Sequence, residues 1–135
     1  MPIQWTNDLA SGVEKIDTQH KLIIAKIGEL LVACKHGAGC EETLEMIEFM
    51  EDYCKEHFKL EQEYMREYNY PYAISHARQH RECTDFFIAL KKDVLENGVN
   101  TSTVVKINKH LVGWFITHIR YTDVKLGTWL KEKMA

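Results

Sequence analysis

Proline is nearly absent from this chain: of 135 residues, only Pro2 and Pro71 deprive the backbone of an amide donor. Long helices are therefore the default, because proline is the strongest helix breaker. No segment alternates apolar and polar residues with the period of a strand, no repeat recurs at fixed spacing, and no tract is of low complexity. Hydrophobic residues make up 45%, yet no apolar run reaches the roughly 20 residues that a bilayer-spanning helix requires. The opening MPIQWTNDLASG has no signal-peptide core, so the expected location is cytoplasmic. Positive charge is not in excess either. Seventeen Lys and Arg face 20 Asp and Glu, a formal charge of −3, which offers no basic surface to nucleic acid or an anionic membrane. Cys34, Cys40, Cys54 and Cys83 show no CxxC spacing, which argues against a zinc knuckle or a disulfide scaffold.

What is present is helical periodicity. Residues 1–16 lack a sustained period and read as an ordered arm, with Ile3 and Trp5 as apolar anchors. A first helix is expected over roughly 18–37, capped by Asp17 or Thr18, with an inward seam of His20, Ile24, Ile27, Leu31 and Cys34 and a stop at the glycines of HGAG. The second, 41–68, begins with Glu41 and Glu42 at the positive end of its dipole. Its seam is Ile47, Met50, Cys54, His57, Glu61, Tyr64 and Tyr68, and Asn69-Tyr70-Pro71 breaks it. The third, 72–96, carries Ala73, His76, His80, Cys83, Phe87, Leu90 and Val94, and Asn97-Gly98 ends it. Thr101 or Ser102 caps the fourth, 101–119, with Val104, Ile107, Leu111, Trp114 and His118 inward; a short C-terminal helical continuation is expected over 122–133. Four amphipathic helices with short links predict an all-α, antiparallel up-down-up-down bundle in one domain.

Five histidines, His20, His57, His76, His80 and His118, fall on those seams where a core would take Leu or Ile, whereas His36 and His110 do not. Glu61 joins them, and no Lys or Arg lies on the stripes to pair with it. A buried, unpartnered carboxylate costs several kcal/mol, and a metal ion answers that cost. With alternating chain direction the six groups share one end of the bundle. Five imidazoles exceed what a single structural zinc uses, so two carboxylate-bridged ions suit the set better. Imidazole with carboxylate suits iron, although ligand type alone does not separate iron from manganese or zinc. Asp123, in HIRYTD, is either a second bridging carboxylate or a cap of the last segment. Five residues turn a regular helix by about 140°, so ligation by both His118 and Asp123 requires a bulge near Tyr121-Thr122, an irregularity common at functional sites.

The motifs IDTQH (16–20), HFKLE (57–61), HARQH (76–80) and HIRYTD (118–123), spread over essentially the whole chain, resemble the hemerythrin family, and within it the single-domain bacterial hemerythrins. Myohemerythrin is itself a standard example of the up-down-up-down bundle. The resemblance implies a non-haem di-iron site with an oxo or hydroxo bridge. His76, His80 and His118 would hold one iron. His20 and His57 would hold the other, which keeps a position open for dioxygen, and Glu61 and Asp123 would bridge the two. It further implies an oxygen pocket walled by Ile23, Ile24, Phe58, Trp114, Phe115 and Ile119, most of which ordinary core packing would also bury.

The expected function is reversible dioxygen binding for storage, delivery or buffering. A ferrous pair supplies the two electrons that reduce dioxygen to the peroxide level, and a bridging hydroxide supplies the proton, so the step can reverse without an outside reductant. Neutral imidazoles do little to favour high-valent iron, and the Glu-x-x-His pattern of carboxylate-rich di-iron proteins is missing. The competing readings are oxygen sensing through a separate partner protein, with a redox or oxygen-consuming protein as the wider partner class, and a di-iron enzyme reducing peroxide or nitric oxide. A purely structural metal bundle is a further one. Asp17 reads first as an N-cap and second as a group orienting a ligand imidazole. Cys54 and Cys83 lie three residues from His57 and His80, in the layer just inside the cluster. They read first as small buried apolar groups and second as a thiol source of electrons.

Overall fold

In the computed structural model, which describes residues 3–134, the chain is an all-helical antiparallel four-helix bundle. The first two residues of the expected arm, Pro2 among them, lie outside the described residues. The arm carries one short 3-10 turn, Asn7–Leu9, whose Leu9 is buried in the main core with Ile3 and Trp5 packed beside it. Helix α1 spans Glu14–Lys35, α2 Cys40–Glu67 and α3 Ala73–Asn97. The fourth rod is one unbroken helix of changing pitch: α4 (Thr101–Lys106), a π-helical stretch (Ile107–Val112), α5 (Gly113–Thr117), a second π-helical stretch (His118–Asp123) and α6 (Val124–Met134). The residues that join these pieces are all right-handed helical. α2 packs against α1 and α3, and the fourth rod closes the bundle against α1 and α3.

Two helix starts differ from the sequence expectation. α1 starts at Glu14, four residues early, so Asp17 and Thr18 lie inside its first turns and neither caps it. The Asp17 carboxylate instead accepts from the Ser11 amide (2.8 Å), the Ser11 hydroxyl (2.8 Å) and the Gly12 amide (3.2 Å), which pins the arm to the helix. The fourth rod is capped by Asn100 rather than Thr101 or Ser102. The Asn100 side chain accepts from the Thr103 amide while the Thr103 hydroxyl accepts from the Asn100 amide, a capping box built with threonine in place of glutamate. The fourth helix runs without a break into the expected 122–133 continuation. The turn between α2 and α3 is as read: Asn69 takes a left-handed φ of 56°, a conformation asparagine tolerates, and the Tyr70 amide reaches back 2.9 Å to the Met65 carbonyl.

The seams of α1 and α3 bury as expected, apart from a half-buried Ala73, but two others drift. In α2 burial passes from Glu61 to Met65, leaving Tyr64 and Tyr68 half-buried. In the fourth rod the innermost residues are Thr103, Ile107, Leu111, Phe115, His118 and Ile119, with Val104 and Trp114 at the margin. A π turn holds more residues than an α turn, so each π stretch delays the inward face, and Phe115 takes the place expected of Trp114.

Two apolar clusters result. The large one contains Ile24, Ile27, Leu31, Ile47, Met50, Phe87, Leu90, Ile107 and Leu111. A smaller one, Val13, Ile16, Met65, Tyr70, Leu126 and Leu130, closes the opposite end. The polar residues of the seams lie between them, and the end of the bundle they were expected to share is covered by the arm, the α2–α3 turn and α6.

Candidate metal centre

Four rods each contribute to a single buried cluster: His20 from α1, His57 and Glu61 from α2, His76 and His80 from α3, His118 and Asp123 from the second π stretch. None is more than 3% exposed. Their candidate ligand atoms form two groups that share both carboxylates. The first is Glu61, His76, His80, His118 and Asp123; the second is His20, His57, Glu61 and Asp123. Glu61 Oε1 lies 3.1 Å from His76 Nε2 and 3.0 Å from His80 Nε2, while its Oε2 lies 3.4 Å from His57 Nε2. Asp123 Oδ1 lies 3.1 Å from His76 Nε2 and 3.0 Å from His118 Nε2, and its Oδ2 lies 2.8 Å from His20 Nε2. Each carboxylate therefore turns one oxygen to the three-histidine group and the other to the two-histidine group.

The π stretch makes this possible. An α-helical step of five would splay His118 and Asp123, whereas i→i+5 bonding stacks residues five apart on one face. The irregularity anticipated from HIRYTD lies at His118–Asp123. The earlier π stretch, Ile107–Val112, had no counterpart in the sequence reading.

The donor set fits a metal pair on the evidence of its own unsatisfied atoms. His20 Nε2, His57 Nε2, His118 Nε2, Glu61 Oε2 and both oxygens of Asp123 are buried without a hydrogen-bond partner, although several lie about 3 Å from one another. Buried polar atoms left in that condition are rare and call for an explanation; here they crowd around common points between the rods. Burial alone pushes the Glu61 carboxyl up, but the charge and contact of His57, joined by His76 and His80, outweigh it and hold it well below the usual carboxylate range. Burial and the neighbouring Glu61 push Asp123 up; His118 and His20 reverse that and keep it ionised. Burial disfavours charge on His76, yet contacts with Asp123 and Glu61 overcome it and raise its pKa to about 9. His80, for which burial dominates, is lowered to about 4. Without metal, a proton on His76 stands where a cation would neutralise the two carboxylates.

Two glutamines that the sequence reading passed over orient candidate ligands. Gln19 Oε1 accepts from His57 Nδ1 at 2.6 Å, and Gln79 Oε1 accepts from His118 Nδ1 at 2.6 Å and from the Thr122 hydroxyl at 2.9 Å. Each fixes the tautomer that leaves Nε2 free for a metal. The available signal was the recurring Gln-His pair in IDTQH and HARQH: a residue one step before an inward histidine faces the neighbouring rod. Aromatic rings complete the packing. Phe58 stacks on His80 (4.0 Å, 12°) and Trp114 on His118 (4.4 Å, 11°).

Ile23, Ile24, Phe58, Phe115 and Ile119 all lie in the large cluster beneath the ligands. Half-buried Trp114 differs from them: with His118, Gln79 and Thr122 it lines an open surface groove of about 680 Å³. Asp17, tied to Ser11 and Gly12, orients no ligand. His36 and His110 are exposed, away from the cluster.

A bundle with a shared-carboxylate, five-histidine centre defines a class, and comparison with known proteins gives the family. The hemerythrin HHE cation binding domain matches residues 11–130. The chain is 31% identical to a bacteriohemerythrin of Pseudomonas aeruginosa, over 97% of this chain and 83% of that protein. It is 30% identical to the myohemerythrin of Theromyzon tessulatum, over 92% and 90%. A crystal structure of a hemerythrin point mutant superposes with a TM-score of 0.83 at 25% identity, over 96% of this chain and 98% of that one. The chain belongs to the hemerythrin family, and bacterial hemerythrins are among the relatives it matches over most of its length. Membership implies an oxygen-binding protein built on a non-haem di-iron centre. Among the described residues no helix is long and apolar enough to cross a membrane.

Proposed function

We propose that this chain binds dioxygen reversibly, for storage, delivery or buffering, at a di-iron centre held by His20, His57, Glu61, His76, His80, His118 and Asp123. The observation that carries the reading is the unequal division of histidines, three and two, around two shared carboxylates. Three imidazoles and the bridges satisfy one ion, whereas two leave the other with a free position. Bound as a ferrous pair, the metal supplies the two electrons that dioxygen binding draws on. The protein's part is to hold and to exclude. Gln19 and Gln79 keep the imidazoles of His57 and His118 in register. Ile23, Ile24, Phe58, Phe115 and Ile119, with Trp114 at the edge, would wall the ligand pocket and keep water and reductants away. Such a dry wall favours release of an intact ligand over its consumption, so the chain acts as a carrier rather than an enzyme.

Stopped-flow absorption of the diferrous protein mixed with oxygen tests this. A long-lived oxygenated species that returns to the diferrous form on deoxygenation is expected. Rapid oxidation without recoverable oxygen would point to reductive chemistry instead.

A further inference from the structure

Counting antiparallel from the Glu61–His76 contact, each step back along α2 meets an equal step forward along α3. This register sets His57 against His80, Cys54 against Cys83 and Met50 against Phe87. Cys54 and Cys83 are both free thiols, 1% and 2% exposed, and this register sets them face to face between α2 and α3. Each is three residues from a candidate ligand on its own helix, a rise of about 4.5 Å. Two thiols facing each other directly beneath a redox centre differ from an isolated buried cysteine, because together they can yield an even number of electrons and end in one covalent bond. Burial, followed by the proximity of Cys83, pushes the Cys54 thiol well above its ordinary value. It therefore stays mostly protonated and reacts only slowly with outside electrophiles, for which the thiolate is the attacking species.

We propose that Cys54 and Cys83 are an internal two-electron reserve that returns the oxidised centre to its oxygen-binding state, a proposal that rests on the di-iron reading above. The two S–H bonds break and one S–S bond forms. The two electrons released reduce two ferric ions to ferrous, one each. The two protons are released to solvent. The oxidant is the diferric centre itself, so no external co-reactant enters. Burial then makes the disulfide slow to exchange with soluble thiols, and the reserve acts once per chain until the bundle opens.

The test uses the full chain carrying Cys34→Ala and Cys40→Ala, so that only this pair is counted. Iron content is measured first, the protein is oxidised anaerobically with ferricyanide, excess oxidant is removed, and the diferric absorption is followed. After denaturation, free thiols and intact mass are read. The expected result is decay of the diferric form with loss of both thiols, a mass lower by about 2 Da, and a linked pair of peptides containing Cys54 and Cys83. With Cys54→Ala or Cys83→Ala added separately, the diferric form persists. The metal-free chain treated with diamide gives the same cross-link, which reads the pairing independently of iron. Two irons bound with both thiols intact, no cross-link in the metal-free chain, or equal diferric lifetimes with and without Cys54 would each overturn the reserve alone. Failure to bind two irons overturns the di-iron reading and the reserve with it, and the iron count tells the two cases apart.

Discussion

Gln79 accepts from His118 across the α3 interface at 2.6 Å while the Thr122 hydroxyl donates to the same oxygen at 2.9 Å. With its oxygen engaged twice, the amide cannot flip without losing both bonds, and the imidazole is fixed with Nε2 inward. Replacing Gln79 with Leu keeps the volume and removes the acceptor. Loss of such a partner typically weakens metal affinity about 10- to 100-fold. Iron affinity measured by competition with a chelator should fall by that order, and Gln19→Leu should act similarly through His57.

Asp123→Asn removes one of the two shared carboxylates while keeping its shape. Because both groups of ligands use Asp123, the variant is expected to hold fewer than two irons per chain, as read by metal analysis. Removing iron from the unaltered protein with a chelator should lower Tm, since a cation bound only by the folded chain stabilises it by mass action.

The metal-free chain should be most stable near pH 6.5. His76 titrates at about 9 when folded, against 6.5 as the ordinary value, so its contribution is complete below 6.5 and is lost as pH rises toward 9. His80 runs the other way. With a folded value of about 4, the unfolded chain takes up its proton first, and stability falls as pH drops from 6.5 toward 4. Depressed Glu61 and Asp123 add to the acid loss below their ordinary values. Thermal melts of the metal-free protein from pH 4 to 9 check the shape. In the iron-loaded protein the alkaline decline should flatten, because a ligated His76 carries no proton to lose.

Gly127 lies on α6 where the arm crosses, and a Cβ there would overlap the backbone carbonyl of Ser11. Gly127→Ala is expected to cost about 1–3 kcal/mol, as overpacking does, and to lower Tm. Gly113→Ala is the control. Its Cβ would meet only the Asn108 carbonyl at 4.0 Å, so a gain of about 0.5–1 kcal/mol is expected from the lower entropy of the unfolded chain.

The candidate ligands were legible in the sequence because each marks an apolar stripe with a residue that burial should exclude. The geometric conflict between His118 and Asp123 even pointed to the distortion that resolves it. Legibility failed where the cause was tertiary. Asp17 has the composition of an N-cap, but its partners belong to an arm that folds back on the helix. Asn100 outcompetes Thr101 through a reciprocal bond with Thr103 that a glutamate-based template does not detect. Trp114 matches a regular 3.6 period, and only the unforeseen π stretch at Ile107–Val112 moves it aside in favour of Phe115. Gln19 and Gln79 read as surface polar residues until the neighbouring rods are in place.

With iron in the cluster, the small apolar layer of Val13, Ile16, Met65, Tyr70, Leu126 and Leu130 would act as a sieve. A nonpolar diatomic gas crosses such packing through transient gaps between side chains, whereas a hydrated cation must shed its water to do so. Gas traffic and metal traffic would therefore run on separate clocks, the second set by how often the tail helix parts from the arm at Gly127. A looser latch would leave oxygen exchange nearly unchanged while letting iron leak away.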